Sequence, residues 1–340
     1  MSVIQAWFGR KAPVKPVALE PPASANAERI LMRIEWKVLR RLDGVLHGDY
    51  RSLMRGFGMD LADLREYQAN DDVRFIDWNV TARMDTPYVR EFEEDRDVSA
   101  WFLVDLSGSM DFGSQQISKR MLASEAVAIL ARLLTRHGNP VGAMLYSQTP
   151  GSRPAGKGVM GAIDRVLPPR HGRQQVLRLI DQIHATHATD AAKIPLAAEK
   201  LHLTNLARLI EAGRQSIRRR SVVFVVSDFI AGTGWEQALR LLSQRHDVVA
   251  VRLVDPLELA LPDIGGLNVQ DPETGETVWI DTSDKKLRNR FAQLALERAA
   301  YIEQTMQRAG VSCLTLNTAQ DLGDALIRFS TLRKLRRRRA

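Results

Sequence analysis

The chain has 340 residues, of which 45% are hydrophobic and 26% charged, a balance that suits one large domain with an accessory segment or two ordinary domains and excludes a disordered or fibrous chain. A formal net charge of +8 points toward nucleic acid only weakly, because Arg333, Lys334 and Arg336 to Arg339 place six positive charges in the last eight residues and no aromatic residue interleaves them for stacking on single strands. The single Cys313 excludes an internal disulfide and a cysteine metal cluster and favours a reducing compartment.

Met1 to Lys11 carries only the short apolar patch Ala6, Trp7 and Phe8 before Arg10 and Lys11, without the core of a signal peptide, so a cytoplasmic protein is expected. Residues 1–27 read as a Pro/Ala-rich linker, since Pro13, Pro16, Pro21 and Pro22 favour an extended chain. From Glu28 to Leu46, Ile30, Ile34, Val38 and Leu42 recur every fourth residue beside Leu31, Leu39 and Leu46, which makes one apolar helix face. Residues 48–97 are rich in Asp, Arg and Gly and show no sustained period, so loops and short strands are expected there. Residues 28–97 are accordingly set apart from a second unit spanning 98–330, with a basic tail at 331–340.

Beyond residue 98, short β-branched runs alternate with helical segments, the signature of βαβ units on a mostly parallel sheet. Strands are expected at Val98 to Asp105, Val141 to Tyr146, Ser221 to Ser227, Val248 to Val254 and Val311 to Leu316. Helices are expected at Ser118 to His137, Gln174 to His184, Asn205 to Arg219, Gly234 to Arg245, Lys285 to Arg308 and Gln320 to Arg328. An extra edge strand falls near Ile163 to Leu167, and Leu261 to Thr282 reads as a turn joining two short strands. Apolar runs such as Val222 to Val226 are far too short to cross a bilayer, so no membrane span is expected. The fold class is α/β: a doubly wound, mostly parallel sheet with helices on both faces, preceded by a helical and irregular segment.

The first strand of this sheet ends in Asp105-Leu106-Ser107-Gly108-Ser109, and a later one in Ser227-Asp228. Both place oxygen-bearing side chains at the carboxyl edge, where open α/β sheets bind ligands. Thr204 opens the helix that precedes the second of these strands. Asp105, Ser107, Ser109, Thr204 and Asp228 offer only hard oxygen atoms, which suits Mg²⁺ or Mn²⁺ rather than zinc or copper. Neutral hydroxyl ligands leave such an ion electrophilic, with a position for water or an incoming carboxylate.

The pattern D-x-S-x-S after a first strand, followed by a later Thr and a later Asp, resembles the metal-ion-dependent adhesion site of von Willebrand factor A domains. That resemblance implies that Ser107 and Ser109 bind the ion, that Thr204 binds it directly or through water, and that Asp105 and Asp228 act mostly through water or hydrogen bonds. A partner's Glu or Asp would complete the shell. In that family the Thr commonly follows glycine, whereas here Leu201-His202-Leu203 precede Thr204.

The preceding stretch, with Arg51-Ser52, Gly56-Phe57-Gly58, Leu64-Arg65-Glu66-Tyr67, Asp71-Asp72-Val73-Arg74, Ile76-Asp77-Trp78-Asn79, Thr81-Ala82-Arg83 and Phe92-Glu93-Glu94, resembles the bacterial "domain of unknown function 58" family, DUF58. The resemblance spans roughly residues 28–330. It implies a non-enzymatic, metal-dependent adaptor that works with a MoxR-type AAA+ ATPase in chaperone-like maturation of a client.

Other readings compete. Asp105, Ser107 and Ser109 can simply cap the following turn and helix. Asp71, Asp72 and Asp77 can form a second metal or catalytic site, or a network with Arg65, Arg74 and Arg83 that fixes loops. His184, His187 and Asp190 share one helix face but lack a fourth ligand. Phe291, Tyr301 and Met306 on the long late helix are expected in the core. A metal-dependent phosphate-ester hydrolase using the same cluster is the alternative function. Against it, Ser107 lacks the G-x-S-x-G elbow of a serine nucleophile, and a residue two positions after Asp105 that would serve as acid is Ser107. No P-loop or G-x-G-x-x-G is present, so no bound nucleotide is expected.

Overall fold

The computed structural model describes residues 23–34, 63–68, 73, 76, 78–84, 86–91, 98–114, 117–147, 163–190, 206–270 and 277–337. In chain order its regular elements are α1 (Ala23–Ile34), β1 (Asp63–Glu66), α2 (Trp78–Met84), β2 (Tyr88–Glu91), β3 (Ala100–Asp105), α3 (Lys119–Arg136), β4 (Val141–Tyr146), β5 (Arg165–Arg170), α4 (Arg173–Asp190), α5 (Leu206–Ser216), β6 (Val222–Ser227), α6 (Trp235–Ser243), β7 (Asp247–Val254), β8 (Gly266–Gln270), β9 (Thr277–Asp281), α7 (Lys285–Arg308), β10 (Ser312–Asn317) and α8 (Leu322–Arg337).

Six strands form the central sheet in the order β10-β7-β6-β3-β4-β5, and every pairing is parallel except the antiparallel β4–β5 pair at one edge. All residues of β3, β4 and β6 are buried, which is why these strands read as unbroken apolar runs rather than alternating ones. One face of the sheet, with Phe102, Val104, Phe224 and Val251, is covered by α3, α4 and α8. The opposite face, with Leu103, Met144, Val225 and Ala250, is covered by α5, α6 and α7. Phe102 and Phe224 stack across adjacent strands with ring centroids 5.0 Å apart. At the β5 edge, Pro168 and Pro169 lack backbone N–H groups, which makes this strand a poor template for a further one.

Outside the central sheet, β8 and β9 form an antiparallel hairpin, and β1 and β2 pair antiparallel in the N-terminal segment. The helix α1 lays Ala27, Ile30 and Leu31 against the same core that holds α3 and α4. Several expectations need correction. α1 begins at Ala23, inside the stretch read as linker, because no proline follows Pro22 and alanine is the strongest helix former. The stretch expected as loops and short strands also contains the helix α2. α8 is helical through Arg337, beyond the end expected at Arg328. On α7, Met306 is buried as expected, whereas Tyr301 is 52% exposed and donates to Glu236 Oε1 at 2.6 Å.

The sheet centre is held tightly from α5. A Cβ at Gly213 would come within 2.6 Å of Leu103 Cδ1, so the α5 backbone lies almost on β3. Gly213→Val is therefore expected to lower stability by about 2 kcal/mol through overpacking, despite valine's better helix propensity. Thermal unfolding followed by circular dichroism checks this; an unchanged melting temperature would contradict the close packing.

Candidate functional site

β3 and β6 are neighbours although a long stretch of chain separates them, because the connections after β3 run first toward β4 and β5 and then return to the other side. The sheet order thus reverses between β3 and β6, and the crevice beyond the carboxyl ends at such a point is where open α/β sheets bind ligands. Asp105 ends β3 and Asp228 follows β6, so the two carboxylates arrive at this crevice from adjacent strands.

The loop after β3 is shaped by Asp105 itself. Its Oδ1 accepts the Ser107 backbone N–H at 3.0 Å, and its Oδ2 accepts the Ser227 hydroxyl at 2.8 Å, which ties the ends of the two strands together. A short 3₁₀ turn, Gly108–Asp111, then sets the Ser107 and Ser109 hydroxyl oxygens 3.3 Å apart. Beyond β6, Asp228 Oδ1 accepts the Ile230 N–H at 2.9 Å and Ser227 Oγ accepts the Phe229 N–H at 3.0 Å. Phe229 takes a left-handed backbone with φ of 58°, which is costly for a bulky residue, and its ring packs on Trp235 with centroids 5.3 Å apart. Strain of this kind gathers where a loop is held in a functional pose.

Two consecutive cations at the start of α3 grip the two loops. Lys119, fully buried, donates to Asp228 Oδ2 at 2.6 Å and to Glu258 Oε1 at 2.5 Å. Arg120 donates to the Leu106 carbonyl at 2.8 Å and pairs with Asp111, so it clamps the loop carrying Ser107 and Ser109. Glu258 is positioned by a capping box with Asp255, whose carboxylate also accepts Ser114 N–H at 2.9 Å and the Thr318 hydroxyl at 2.7 Å. The ends of β3, β6, β7 and β10 are thereby linked through one polar network.

The network holds more negative charge than its depth favours. Burial, and then the charge of Asp228, push the Asp105 carboxyl from 3.8 up to about 6, against the hydrogen bonds from Ser107 and Ser227 that favour its ionised form. Burial raises Glu258 as well, despite the opposing effect of Lys119. For Lys119, burial disfavours the ammonium, but Asp228 and Glu258 outweigh it and the pKa is raised.

Of the five residues expected around a hard ion, the structure brings Asp105, Ser107, Ser109 and Asp228 to one crevice, all buried, while Thr204 lies outside the described residues. Among the described residues no group of three His, Cys, Asp or Glu side chains is placed to hold a metal, so an ion here would depend on the serine hydroxyls. Asp71, Asp72, Asp77 and Arg74 also lie outside the described residues, as do the side chains of Arg65, His187 and Asp190. His184 Nε2 lies 3.0 Å from the Ser124 hydroxyl, between two helices. Sequence reasoning missed Lys119, Arg120, Asp255 and Glu258. A signal existed for the first two: α3 opens with two cations and has no acidic residue in its first turn, the reverse of what a helix amino end favours.

Residues 63–301 match the family model described as "Protein of unknown function DUF58". An uncharacterized protein of Mycobacterium bovis is 34% identical over 326 residues, covering 94% of this chain and 96% of that protein, and an uncharacterized protein of Mycobacterium tuberculosis matches to the same extent. An uncharacterized Mycobacterium avium protein is 34% identical over 168 residues, which is 49% of this chain and 94% of its own length. Among solved structures, the conserved hypothetical protein BatB from Bacteroides thetaiotaomicron overlaps with a TM-score of 0.38 at 12% identity, covering 70% of this chain and 99% of that one. The pilus adhesin SpaC from Lactobacillus rhamnosus GG overlaps with a TM-score of 0.37 at 11% identity, covering 71% of this chain and 31% of that one.

The raised Asp105 pKa gives a pH prediction in the presence of a chelator. A carboxyl whose folded pKa exceeds its unfolded value favours the folded state at low pH and loses that contribution as pH rises through the folded pKa. The window runs from 3.8 to about 6. The melting temperature of Asp105→Asn should therefore gain on that of the wild type across this window and hold its advantage above it. A difference that stays constant with pH would contradict the buried-charge account.

Proposed function

We propose a role for this chain, which belongs to the DUF58 family, as a non-enzymatic adaptor with a von Willebrand factor A-like domain that binds Mg²⁺ or Mn²⁺ and uses the ion to dock a protein partner. The observation that carries this reading is the pair of serine hydroxyls, 3.3 Å apart, in the same crevice as two buried carboxylates, where burial and then the charge of Asp228 raise the Asp105 pKa. A divalent cation offsets that charge, and the donor set fits a hard ion. Ser107 and Ser109 would hold it, Asp105 and Asp228 would supply the neutralising charge, and Thr204 would add a further oxygen.

The sheet order supports the von Willebrand factor A-like reading, since it carries an antiparallel strand at one edge and places the oxygen cluster at its reversal point. Docking is favoured over hydrolysis because the position two residues after Asp105, where a phosphatase of this pattern would carry its acid, is Ser107. A bound ion on neutral hydroxyls retains the electrophilicity to recruit a carboxylate from outside. The partner we propose is a MoxR-type AAA+ ATPase, with this chain linking it to a client. Among the described residues no helix is long and apolar enough to cross a membrane.

Isothermal titration with MnCl₂ tests the site: the wild type should bind one ion, and Ser107→Ala should bind at least about tenfold more weakly through loss of a ligand. A MoxR-type ATPase from the same cell should then co-purify in Mg²⁺ and be lost with chelator or with Ser107→Ala. Equal recovery in all three conditions would reject metal-dependent docking.

A further inference from the structure

The Lys119 ammonium is an unusual group to find at the bottom of a cation site. It is fully buried, it is the first residue of α3, and its two partners come from different loops, Asp228 after β6 and Glu258 after β7. Burying an ammonium costs several kcal/mol that ion pairing recovers only in part, and an apolar side chain of equal volume is often as stabilising. A stability role therefore does not by itself account for the lysine. Its placement offers another: it faces the same carboxylate that neutralises an ion bound at Ser107 and Ser109.

We propose that Lys119 is a built-in countercation that weakens divalent-ion binding at the site by pre-neutralising Asp228 and Glu258. This rests on the metal-site reading above. Lys119 meets Asp228 and Glu258 by direct contact, while the Arg252 guanidinium attracts the same two carboxylates without an ion pair of its own to either. Removing the ammonium takes away the cation in contact with them and leaves the ion one positive charge fewer to compete with. Lys119 also joins the Asp228 loop to the turn at Glu258, and Glu258 in turn is fixed to Asp255, which holds Ser114 and Thr318. The lysine thus offsets part of the site's charge and is held by ion pairs to two loops. Arg120, its neighbour, is committed to Leu106 and Asp111 and makes no ion pair with Asp228 or Glu258. An ion held this loosely depends on the partner's carboxylate to complete its binding, which makes ion and partner bind cooperatively.

Mn²⁺ affinity, measured by titration with MnCl₂ alone and by the electron paramagnetic resonance of free Mn²⁺, tests this with wild type, Lys119→Met, Glu258→Gln and the double variant. Lys119→Met should bind Mn²⁺ at least about tenfold more tightly than wild type, from the loss of one positive charge near the ion in a low-dielectric site. Because Lys119→Met leaves Glu258 buried without its partner, the double variant is compared with Glu258→Gln, which differs from it only in the lysine and retains no orphaned glutamate; the double variant should again bind at least about tenfold more tightly. Equal affinity within both pairs, with the wild type binding Mn²⁺, would overturn the countercation role and leave the metal site standing. If neither the wild type nor Lys119→Met binds Mn²⁺, the metal-site reading fails and the role of Lys119 falls with it.

Discussion

Negative charge buried at the ends of two adjacent parallel strands has to be met by something, and most of what surrounds the crevice follows from that need. Asp105 and Asp228 are both buried and close enough for the charge of one to raise the pKa of the other. The chain answers with backbone N–H groups from Ser107 and Ile230, the hydroxyl of Ser227 and the ammonium of Lys119. These donors do not discharge the site, as the position of Asp105 at about 6 indicates. A polar cluster left partly uncompensated beside an apolar α/β core is the kind of local conflict that functional sites retain.

The scaffold explains why such a cluster holds its shape. Its side chains hang from strand ends, from the short turns that follow them and from the start of α3, and the strands and helices are locked by two apolar cores, one on each face of the sheet. The left-handed Phe229 is tolerated because its N–H is satisfied by Ser227 and its ring is buried against Trp235. A rigid frame around an uncompensated charge provides preorganisation, so that a cation or an incoming carboxylate does not have to order the loops. The strain and the buried ion pair belong to the site rather than to the economy of the core.

Much of this was legible in the amino-acid sequence, for physical reasons that differ by region. The strand Val141–Tyr146 and the helix Lys285–Arg308 were read to the residue, because an unbroken apolar run and a long periodic segment with an Asp cap leave little ambiguity. Asp105, Ser107, Ser109 and Asp228 were legible because polar side chains that stop an apolar run must lie at a sheet edge. The cation pair Lys119-Arg120 and the acid Glu258 were not, because their partners lie far off in the chain and nothing in local pattern says which acid a lysine meets. Helix ends were less legible where a helix runs on beyond its apolar period, as in α4 and α8.

The central claim, that the loop at 105–109 and the loop after β6 form one cation site, is tested most directly by locating an ion. Crystals soaked in MnCl₂ and measured at the manganese absorption edge should give one strong anomalous peak within bonding distance of the Ser107 and Ser109 hydroxyls, on the side facing Asp105 and Asp228. A map with no peak in that crevice at an ion concentration that saturates exposed carboxylates elsewhere would contradict the account.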